Sequence, residues 1–514
     1  MFRLPPTFRP AVRLLTSRSA LRLAWNLAFG QVIIQPMLSG RTIKERALEL
    51  GFDLAGIAPL AVWKDLEFSR QWVEKGFNGE MRYLENPKRF DPLLVLPSAK
   101  SMICVGLVYN APLPYSTKVE EKRSQESEVR SRKLESRRQK AEGRSQEEPE
   151  ISRLEPSGTA ALMRSSEPAT GSRNGRRTTD NGPQTTDQFP ISSFRFPVSA
   201  SPPRAWISRY AWGRDYHEIM RAKLARLRAT IDESAPEVET RVFVDTGPIV
   251  ERAFARCSGI GWMGKNTCII NQEKGSWLFL GVILCSLELA PDLPAPDRCG
   301  SCTACLEACP TGALVEPYTM DASRCISYLT IEHRESIPNE FRTKMGSNVF
   351  GCDICQDVCP WNGSRQSSVF SSQQTSSQHG RPLDAREGTR PPTTTTQQFH
   401  PMIVEPTRPR FLDGASSDQP ATDYGQRTPD AAGFSLFNPP LEDLASITEE
   451  GFRVNFAHSP IKRAKYRGWL RNLAVAMGNS GDVRFVPWLE RIARHSDRIV
   501  REHAAWALER LRGE

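Results

Sequence analysis

Apolar residues along the chain recur with helical spacing in some stretches and form short unbroken runs in others. The unbroken runs are typical of buried strands, and the i, i+3, i+4 spacing is typical of helices that pack on one face. On this pattern strands are predicted at 102–108, 241–245 and 277–287, and helices at 42–51, 217–228 and 251–255. A glycine-rich connection, 259–264, joins two of them. The pattern predicts an α+β or α/β domain ahead of residue 290.

Two segments interrupt this pattern. Residues 116–204 have no aromatic side chain before Phe189 and hold 17 basic and 13 acidic residues, and residues 364–433 are rich in Ser, Thr, Gln and Pro. Neither can bury enough apolar surface for a core, so both are predicted to be disordered insertions. The first could serve as a nucleic-acid-binding arm, but its mixed charge favours a solvated insertion.

The first 36 residues form a basic leader with five arginines and no acidic residue. Such a composition is typical of an organellar targeting peptide. The alternative, favoured by the helical pattern that starts just after Met37, is that translation begins at Met37. No apolar run approaches the ~20 residues that a membrane span needs, and we expect no membrane association.

The tail, residues 434–514, is predicted to be helical. Apolar spacing at 467–479 and 500–508 indicates a helix pair resembling a HEAT repeat. Between Arg453 and Gly481 there are six basic residues and no acidic one. A solvated helix face normally mixes both signs, so we expect this stretch to contact nucleic-acid phosphates. An ordinary basic surface is the alternative.

Cysteine spacing gives the most specific chemical signal. One run reads C-x2-C-x2-C-x3-C-P from Cys299 to Pro310, and a second ends at Cys359-Pro360. In ferredoxins the last cysteine of such a run binds the other of two [4Fe–4S] clusters. We therefore predict one cluster on Cys299, Cys302, Cys305 and Cys359, and a second on Cys309, Cys325, Cys352 and Cys355.

A zinc ribbon is the alternative for CxxC pairs, but zinc needs only four ligands, and the two runs together with Cys325 supply eight. The other four cysteines lie in apolar surroundings and are predicted to be small core residues: Cys104, Cys257, Cys268 and Cys285. No disulfide is implied, which fits a reducing cytoplasm. The net charge of +9 suits a polyanionic partner.

The motifs together resemble those of epoxyqueuosine reductases, the cobalamin- and iron–sulfur-dependent enzymes of tRNA queuosine synthesis. Beside the cysteine runs, the resemblance rests on Lys88-Arg-Phe-Asp-Pro92, Trp212-Gly-Arg-Asp-Tyr-His217, Val244-Asp-Thr-Gly247, Gly264-Lys-Asn266 and Arg471-Asn472. The Asp-Thr-Gly and Gly-Lys-Asn motifs are more selective than the cysteine runs, which occur in many ferredoxin-like proteins. The leader and the two insertions depart from the family and touch no motif.

The resemblance implies three domains. A cobalamin-binding α/β domain is expected at 37–115 and 205–290, and a two-cluster ferredoxin-like domain at 291–363. The helical tail at 434–514 is expected to dock tRNA, through Arg463, Arg467 and Arg471.

The resemblance also implies the reaction, reduction of epoxyqueuosine in tRNA to queuosine. Asp245 is then the proton donor, and we expect burial to raise its pKa, as a donor requires. The alternative role of Asp245 is to cap the turn at Gly247 and Pro248. The implied cobalamin contacts are Asp245, Arg89, Ser208, Gly264, Ile269, Leu280, Ser327, Cys352 and Asp353.

Two other functions use some of the same parts. A reductive dehalogenase shares the cobalamin and the two clusters but has no use for a basic helical tail. A ferredoxin-type electron-transfer protein needs no large domain ahead of its clusters. We expect a cytoplasmic monomer that receives electrons from a separate donor.

Overall fold

The structure is a computed structural model that describes residues 38–119, 202–363, 399–404 and 433–513. Apart from Lys118 and Val119, which belong to a second unit at Lys118–Ala200, these residues lie in one compact unit. The basic leader and most of both predicted insertions fall outside the described residues.

The helices and strands are named here in chain order. The α-helices are α1 (Gly40–Glu49), α2 (Trp63–Glu74), α3 (Tyr216–Ser234), α4 (Glu251–Cys257), α5 (Ala304–Glu307), α6 (Ile326–Ile331), α7 (Asn339–Arg342), α8 (Ile354–Asp357), α9 (Leu441–Ala445), α10 (Glu449–Asn455), α11 (Lys465–Ser480), α12 (Val486–Ile492) and α13 (Arg498–Arg512). The strands are β1 (Leu54–Pro59), β2 (Ser101–Val108), β3 (Trp206–Ile207), β4 (Thr240–Phe243), β5 (Trp262–Met263), β6 (Ile269–Ile270), β7 (Leu278–Cys285), β8 (Leu314–Glu316), β9 (Thr319–Met320), β10 (Asn348–Phe350), β11 (Ile403–Val404) and β12 (Phe434–Ser435).

A four-stranded antiparallel sheet of order β1-β2-β7-β4 forms the centre of the first half. The β2–β7 pair runs from Ser101 opposite Cys285 to Val108 opposite Leu278. Because side chains alternate along a strand, β2 sends Ile103 and Val105 to one core and Met102 and Cys104 to the other.

Both faces of this sheet are covered by helices. On one face α1 and α3 contribute buried residues such as Ala47 and Leu224, and on the other α4 contributes Phe254. A strand covered on both faces needs apolar residues at every position, which explains the unbroken run in β2. The predicted strands and helices of the α+β domain are confirmed, with small shifts at their ends.

The cluster segment, residues 299–359, consists of short helices and a β8–β9 hairpin. It is joined to the first half by the parallel pairing of β10 with β3, where Asn348 lies opposite Trp206. Its core residues Leu329 and Met345 pack with Val475 of α11. The helical tail therefore shares a hydrophobic core with the cluster segment.

Helices α11 and α13 approach each other closely in the tail. A Cβ added at Gly478 would lie 3.0 Å from the Cα of Ala507, so only glycine permits this spacing without a shift. Both helices end at a glycine in the left-handed conformation, Gly481 (φ 68°) and Gly513 (φ 76°), which closes the last turn. No helix in the described part of the chain is long and apolar enough to cross a membrane.

Residues 399–404 differ from the prediction for 364–433. Phe399 is 2% exposed and packs against Phe279 with ring centroids 5.1 Å apart. Ile403 and Val404 form β11, which pairs with β12. The aromatic and β-branched side chains of this short piece give it enough apolar surface to join the core, so the predicted insertion does not include it.

Candidate active site

A cavity of about 440 Å³ lies between the central sheet and the cluster segment. Four of the predicted cobalamin contacts line it, namely Arg89, Asp245, Leu280 and Ser327. A second cavity of about 470 Å³ adjoins it and shares Trp72, Arg89 and Arg252 in its wall. Volumes of this size are typical of sites for organic ligands and cofactors.

Asp245 has an unusual backbone conformation. Its φ is 54°, in the left-handed region that residues with a side chain rarely adopt. The turn is fixed by Arg89, whose Nη1 donates to the Gly247 carbonyl at 2.5 Å. Strained residues of this kind concentrate at functional sites. The described partners of the carboxylate are Tyr216 and His217 rather than the backbone of the turn, which argues against a purely capping role.

Tyr216 and His217, from the start of α3, hold the Asp245 carboxylate. The Tyr216 hydroxyl donates to Oδ2 at 2.6 Å. The Nε2 atom of His217 lies 3.6 Å from the same oxygen, an ion-pair distance longer than a hydrogen bond. The rings of Tyr216 and His217 stack on each other. Tyr216 stacks in turn on Phe279, with ring centroids 4.2 Å apart.

His217 is oriented from behind by Asp215. The Nδ1 atom lies 2.8 Å from Asp215 Oδ1, and the other oxygen of Asp215 pairs with Lys462 at 2.9 Å. Asp215 also caps α3, because its side chain accepts from the His217 backbone N–H. One carboxylate therefore fixes the helix start, the imidazole and a contact with the tail.

The electrostatics of Asp245 contradict the expectation of a raised pKa. Enclosure by the protein does favour the neutral acid, but the carboxylate faces the cavity with 62% of its side-chain surface exposed. The interactions with His217 and Tyr216, and the charge of Arg463, outweigh this effect and lower the pKa of Asp245 to about 2. At neutral pH Asp245 is therefore ionised.

The proton of this pair resides on His217. Burial disfavours the charged ring, but Asp215 and Asp245 outweigh burial and raise the pKa of His217 to about 9. A carboxylate on the cavity wall is thus backed by an imidazolium. A pair coupled in this way titrates as a unit and can deliver one proton.

The cysteines of the cluster segment influence one another in the two predicted sets. Burial raises the pKa of the Cys305 thiol, and the neighbouring Cys299 and Cys302 raise it further. The pKa of Cys359, far away in the sequence, is raised by burial and then by Cys299, by Cys268, which belongs to neither set, and by Cys305. Iron supplies the positive charge that stabilises such thiolates.

The second set behaves in the same way. Burial raises the pKa of Cys352, and Cys325 and Cys309 raise it further. For Cys355 the largest effect comes from Cys268, followed by burial and then Cys352 and Cys325. Within the described residues no three His, Cys, Asp or Glu side chains converge on a single ion. The four thiolates of a [4Fe–4S] cube bind four different irons.

The structure corrects two expectations about individual cysteines. Cys325, rather than Cys352, lines the cavity beside Asp245, while Cys352 packs against the core under α6. Cys104, Cys257 and Cys285 are buried core residues as predicted, but Cys268 is only partly buried and contacts Cys355. The predicted cluster ligand that lines this cavity is therefore Cys325, which belongs to neither run.

Besides Cys352, four of the residues predicted as cobalamin contacts lie away from this cavity wall. Ser208 and Asp353 are brought together, but both are buried and their side chains bond to each other at 2.5 Å. Asp353 also accepts from the Trp206 indole and the Arg209 backbone. Gly264 and Ile269 belong to the β5–β6 hairpin, where a Cβ on Gly264 would lie 2.5 Å from the Ile270 side chain.

Arg471 is not a surface residue, and its predicted contact with tRNA is wrong. It is 2% exposed, and its guanidinium donates to the carbonyls of Leu329, His333 and Glu335. The sequence pattern gave a wrong prediction because it cannot show which groups the fold places beside this guanidinium. Here they are backbone carbonyls of the cluster segment, far away in the chain. Arg471 joins the tail to the cluster segment.

Three other basic residues of the same stretch pair with carboxylates, two of them from distant segments. Arg463 pairs with Glu332, and Arg467 lies 3.5 Å from Asp497. Arg463 and Arg467 remain about two-fifths exposed, at 39% and 41% of their side chains. Arg463 also lies over the Tyr83 ring at 5.6 Å, on the rim of the Asp245 cavity.

The sequence interpretation gave no role to Tyr216, His217 or Glu251. The first two stand in the quoted motif Trp212–His217, and three consecutive polar or aromatic residues at a helix start were a usable signal. Glu251 gave no signal, because a carboxylate at the start of a short helix is ordinary. Only the fold shows that it is buried in the cavity wall.

The chain is similar to known proteins over most of its length. Residues 298–362 match the family model of a 4Fe-4S double cluster binding domain. Residues 192–246 match the family model described as Epoxyqueuosine reductase QueG. An epoxyqueuosine reductase of Pseudomonas aeruginosa is 31% identical over 482 residues, which cover 92% of this chain and 95% of the relative. One of Escherichia coli is 38% identical over 314 residues, 60% of this chain and 66% of the relative.

Solved epoxyqueuosine reductases share the fold. One was crystallised with an epoxyqueuosine-modified tRNA-Tyr stem loop and matches with a TM-score of 0.58 at 24% identity, over 92% of this chain and 89% of that one. Another, from Bacillus subtilis, has its catalytic loop swung out of the active site and matches with a TM-score of 0.59 at 23% identity, over 92% of this chain and 90% of that one.

Proposed function

Since the chain belongs to the epoxyqueuosine reductase family, we propose that it reduces epoxyqueuosine in tRNA to queuosine. The observation that carries the proposal is one cavity wall that holds both Asp245, with its protonated neighbour His217, and Cys325 of a cluster set. Proton delivery and electron delivery then meet in one place. The family match disfavours the dehalogenase and the electron-transfer alternatives, because the relatives are named for this one reaction.

The stoichiometry of the reaction explains why both are needed. Removing an epoxide oxygen as water and leaving a double bond consumes two electrons and two protons. Iron–sulfur clusters pass electrons singly, and in the proposed arrangement the set of Cys309, Cys325, Cys352 and Cys355 is the last carrier before the cavity. The set of Cys299, Cys302, Cys305 and Cys359 receives electrons from an external one-electron donor.

Cobalamin is the cofactor that the resemblance implies, and the residues present fit it. The two adjoining cavities offer a long apolar wall with Trp72, Phe279 and Leu280, interrupted by the polar groups of Arg89 and Ser327. A flat macrocycle with polar edges suits such a wall. We propose that Arg89, Leu280 and Ser327 hold it. When bound it would supply a metal centre that collects single electrons and releases them as a pair.

Asp245 transfers the first proton in this proposal, with His217 as its reservoir. As negative charge develops on the departing oxygen, it raises the proton affinity of the adjacent carboxylate. The proton then passes from His217 through Asp245 to that oxygen, so the low pKa of Asp245 in the resting protein is no obstacle. The 3.6 Å gap between the two side chains is of the kind that closes when substrate binds. Tyr216 keeps the carboxylate oriented.

Binding of tRNA is proposed to involve the tail next to the cavity rim. Arg463 and Arg467 are the predicted contacts that keep exposed surface. A structural relative crystallised with an epoxyqueuosine-modified stem loop supports a tRNA substrate for this chain. The helical repeat character of the tail remains a proposal.

The proposal is tested by conversion of the substrate. Protein purified without oxygen, supplied with iron, sulfide and cobalamin and chemically reduced, should convert epoxyqueuosine in tRNA to queuosine, measured by mass spectrometry of the nucleosides. Leaving out cobalamin tests the cofactor separately. Cluster-loaded, cobalamin-supplied protein that leaves the epoxide intact would overturn the proposed function.

A further inference from the structure

Glu251 is a buried acid that the reaction scheme above does not use. It is the first residue of α4 and is 8% exposed. It lines the same cavity as Asp245. Its Oε1 atom has no hydrogen-bond partner among the described residues.

A carboxyl group in this situation is costly unless something later uses it. Buried polar atoms are nearly always hydrogen-bonded, and each one left without a partner costs roughly 1–3 kcal/mol. Packing alone would be served as well by an apolar side chain of similar volume at this position. An unpartnered oxygen in a cavity wall therefore points to a ligand that completes the site.

The surroundings keep Glu251 neutral. Burial, followed by the charge of Asp245, raises the pKa of Glu251 to about 8, against smaller opposing effects of its own backbone and of Arg89 and Arg252. On the far wall Glu332 is paired with Arg463, and the phenol of Tyr83 has its pKa raised to about 12 by burial first. At neutral pH the side chain of Glu251 is therefore a protonated carboxylic acid.

Two carboxyl groups in one cavity are thus held in opposite states. Asp245 is ionised beside His217, while Glu251 carries its own proton. Pairs of acids whose environments push their pKa values apart commonly divide two proton-transfer roles between them. The reaction proposed above needs two protons, and the His217–Asp245 pair delivers one.

We propose that Glu251 donates the second proton of the reduction, a role that rests on the proposed function. The first proton, from the His217–Asp245 pair, converts the opened epoxide oxygen to a hydroxyl as one C–O bond breaks. The second, from the Glu251 carboxyl, goes to that hydroxyl oxygen as the other C–O bond breaks and water leaves. The two electrons supplied through the clusters become the new C=C bond, and Glu251 is left as a carboxylate that regains its proton from solvent.

Glu251→Gln tests this role by replacing the acid with a group of similar shape that cannot give up a proton. In single turnover with reduced enzyme and saturating tRNA, we expect the rate of queuosine formation to fall by about 10²–10⁴-fold, the usual loss for a general acid. Glu251→Asp should recover part of the rate. Glu233→Gln, an exposed glutamate on α3, is the matched control and should react like the parent.

The pH dependence separates catalysis from packing. The parent rate should fall as pH rises through about 8, where Glu251 loses its proton, and fall further as His217 does so near 9. Glu251→Gln should lack the first descent and keep the second. In cofactor-free protein, infrared spectra should show the carbonyl band of a protonated carboxylic acid, titrating near the same pH and absent from Glu251→Gln.

Each alternative outcome decides the matter. A Glu251→Gln protein that matches the parent in rate and pH profile overturns the inference alone. So does one whose profile is unchanged while its affinity for cobalamin falls, because Glu251 would then be a cofactor ligand. A parent that reduces no epoxyqueuosine overturns the proposed function and this inference with it.

Discussion

The cluster segment and the basic tail differ in how well their sequence patterns predict where the side chains lie in the fold. The spacing of the cysteines in residues 299–359 predicts two ligand sets, and the fold brings members of each set near enough to raise one another's pKa; the sets themselves stay a prediction. The basic residues of the tail do not end up as one exposed surface. Arg471 is buried, Arg463 faces a carboxylate of the cluster segment, and Arg467 faces a carboxylate of the tail itself.

The difference follows from where the partners come from. Each predicted cluster has ligands that lie close together in the sequence, Cys299, Cys302 and Cys305 for one and Cys352 and Cys355 for the other, so local spacing is enough to indicate the site. The partner of a basic side chain is the acceptor that the fold places beside it. For Arg471 this is a carbonyl, and for Arg463 a carboxylate, each more than 100 positions away in the chain. Ligand spacing is encoded locally, whereas the burial of a charge is encoded by the whole fold.

Removal of a predicted cluster ligand should give the largest effect. Cys302→Ala should lose one cluster, falling from about eight irons to about four, and should abolish reduction of epoxyqueuosine because electrons cannot cross to the cavity. Iron analysis and visible absorption of anaerobic protein measure this. Cys257→Ala, a core cysteine outside both sets, is the control and should keep both clusters; full iron content in Cys302→Ala would show that the sets are wrongly drawn.

Arg471 should matter for stability and not for tRNA affinity. Arg471→Gln leaves buried carbonyls of Leu329, His333 and Glu335 without their donor, which costs about 1–3 kcal/mol and should lower Tm. Arg453→Gln, an exposed cation in the same basic stretch, should change stability by no more than about 0.5 kcal/mol. If Arg471→Gln instead keeps its Tm and weakens tRNA binding, the tail is the phosphate-binding surface that its sequence predicts.

A buried histidine between the two regions should make their contact acid-sensitive. His503 Nε2 accepts from the Ile337 backbone N–H at 3.1 Å, and burial, followed by the charge of Arg342, lowers its pKa to about 3. The unfolded chain binds this proton below about pH 6.5 and the folded chain does not. Stability should therefore fall as pH drops from about 6.5, by about 1.4 kcal/mol per pH unit for this group.

The same group contributes no pH dependence above that range. His503→Gln, which can still accept from Ile337, should flatten the acid slope of Tm while leaving Tm at pH 8 nearly unchanged. An identical slope in the variant and the parent would mean that other groups control the acid response.

The exposed cations of the tail should show the smallest effect. Arg467→Gln removes at most one phosphate contact, so tRNA affinity should fall only a few-fold, and the slope of log K against log salt should shrink by about 0.7–0.9. Cluster content should not change. An affinity equal to that of the parent at each of two salt concentrations would show that Arg467 serves only its partners within the protein, Asp497 and the Arg334 carbonyl.

The same contrast between local and long-range determinants explains what the sequence could predict of the fold and the site. The strands around Ile103 and Ile283 were predictable because a strand buried on both faces must be apolar throughout. The environment of Asp245 was not, because its proton affinity depends on Tyr216 and His217, about one helix away in the chain. The order of strands in the sheet and the burial of Phe399 likewise depend on packing between distant segments, which no local pattern encodes.

The most direct test of the account is single turnover of Asp245→Asn. Asparagine has nearly the same shape and can accept from Tyr216, so the fold, both clusters and tRNA affinity should be kept. With pre-reduced protein and epoxyqueuosine-modified tRNA, we expect queuosine formation to slow by about 10²–10⁴-fold. The reason is that an amide cannot pass the proton of His217 on to the departing oxygen. Conversion at the parent rate would contradict the account and leave Asp245 as a residue of the turn.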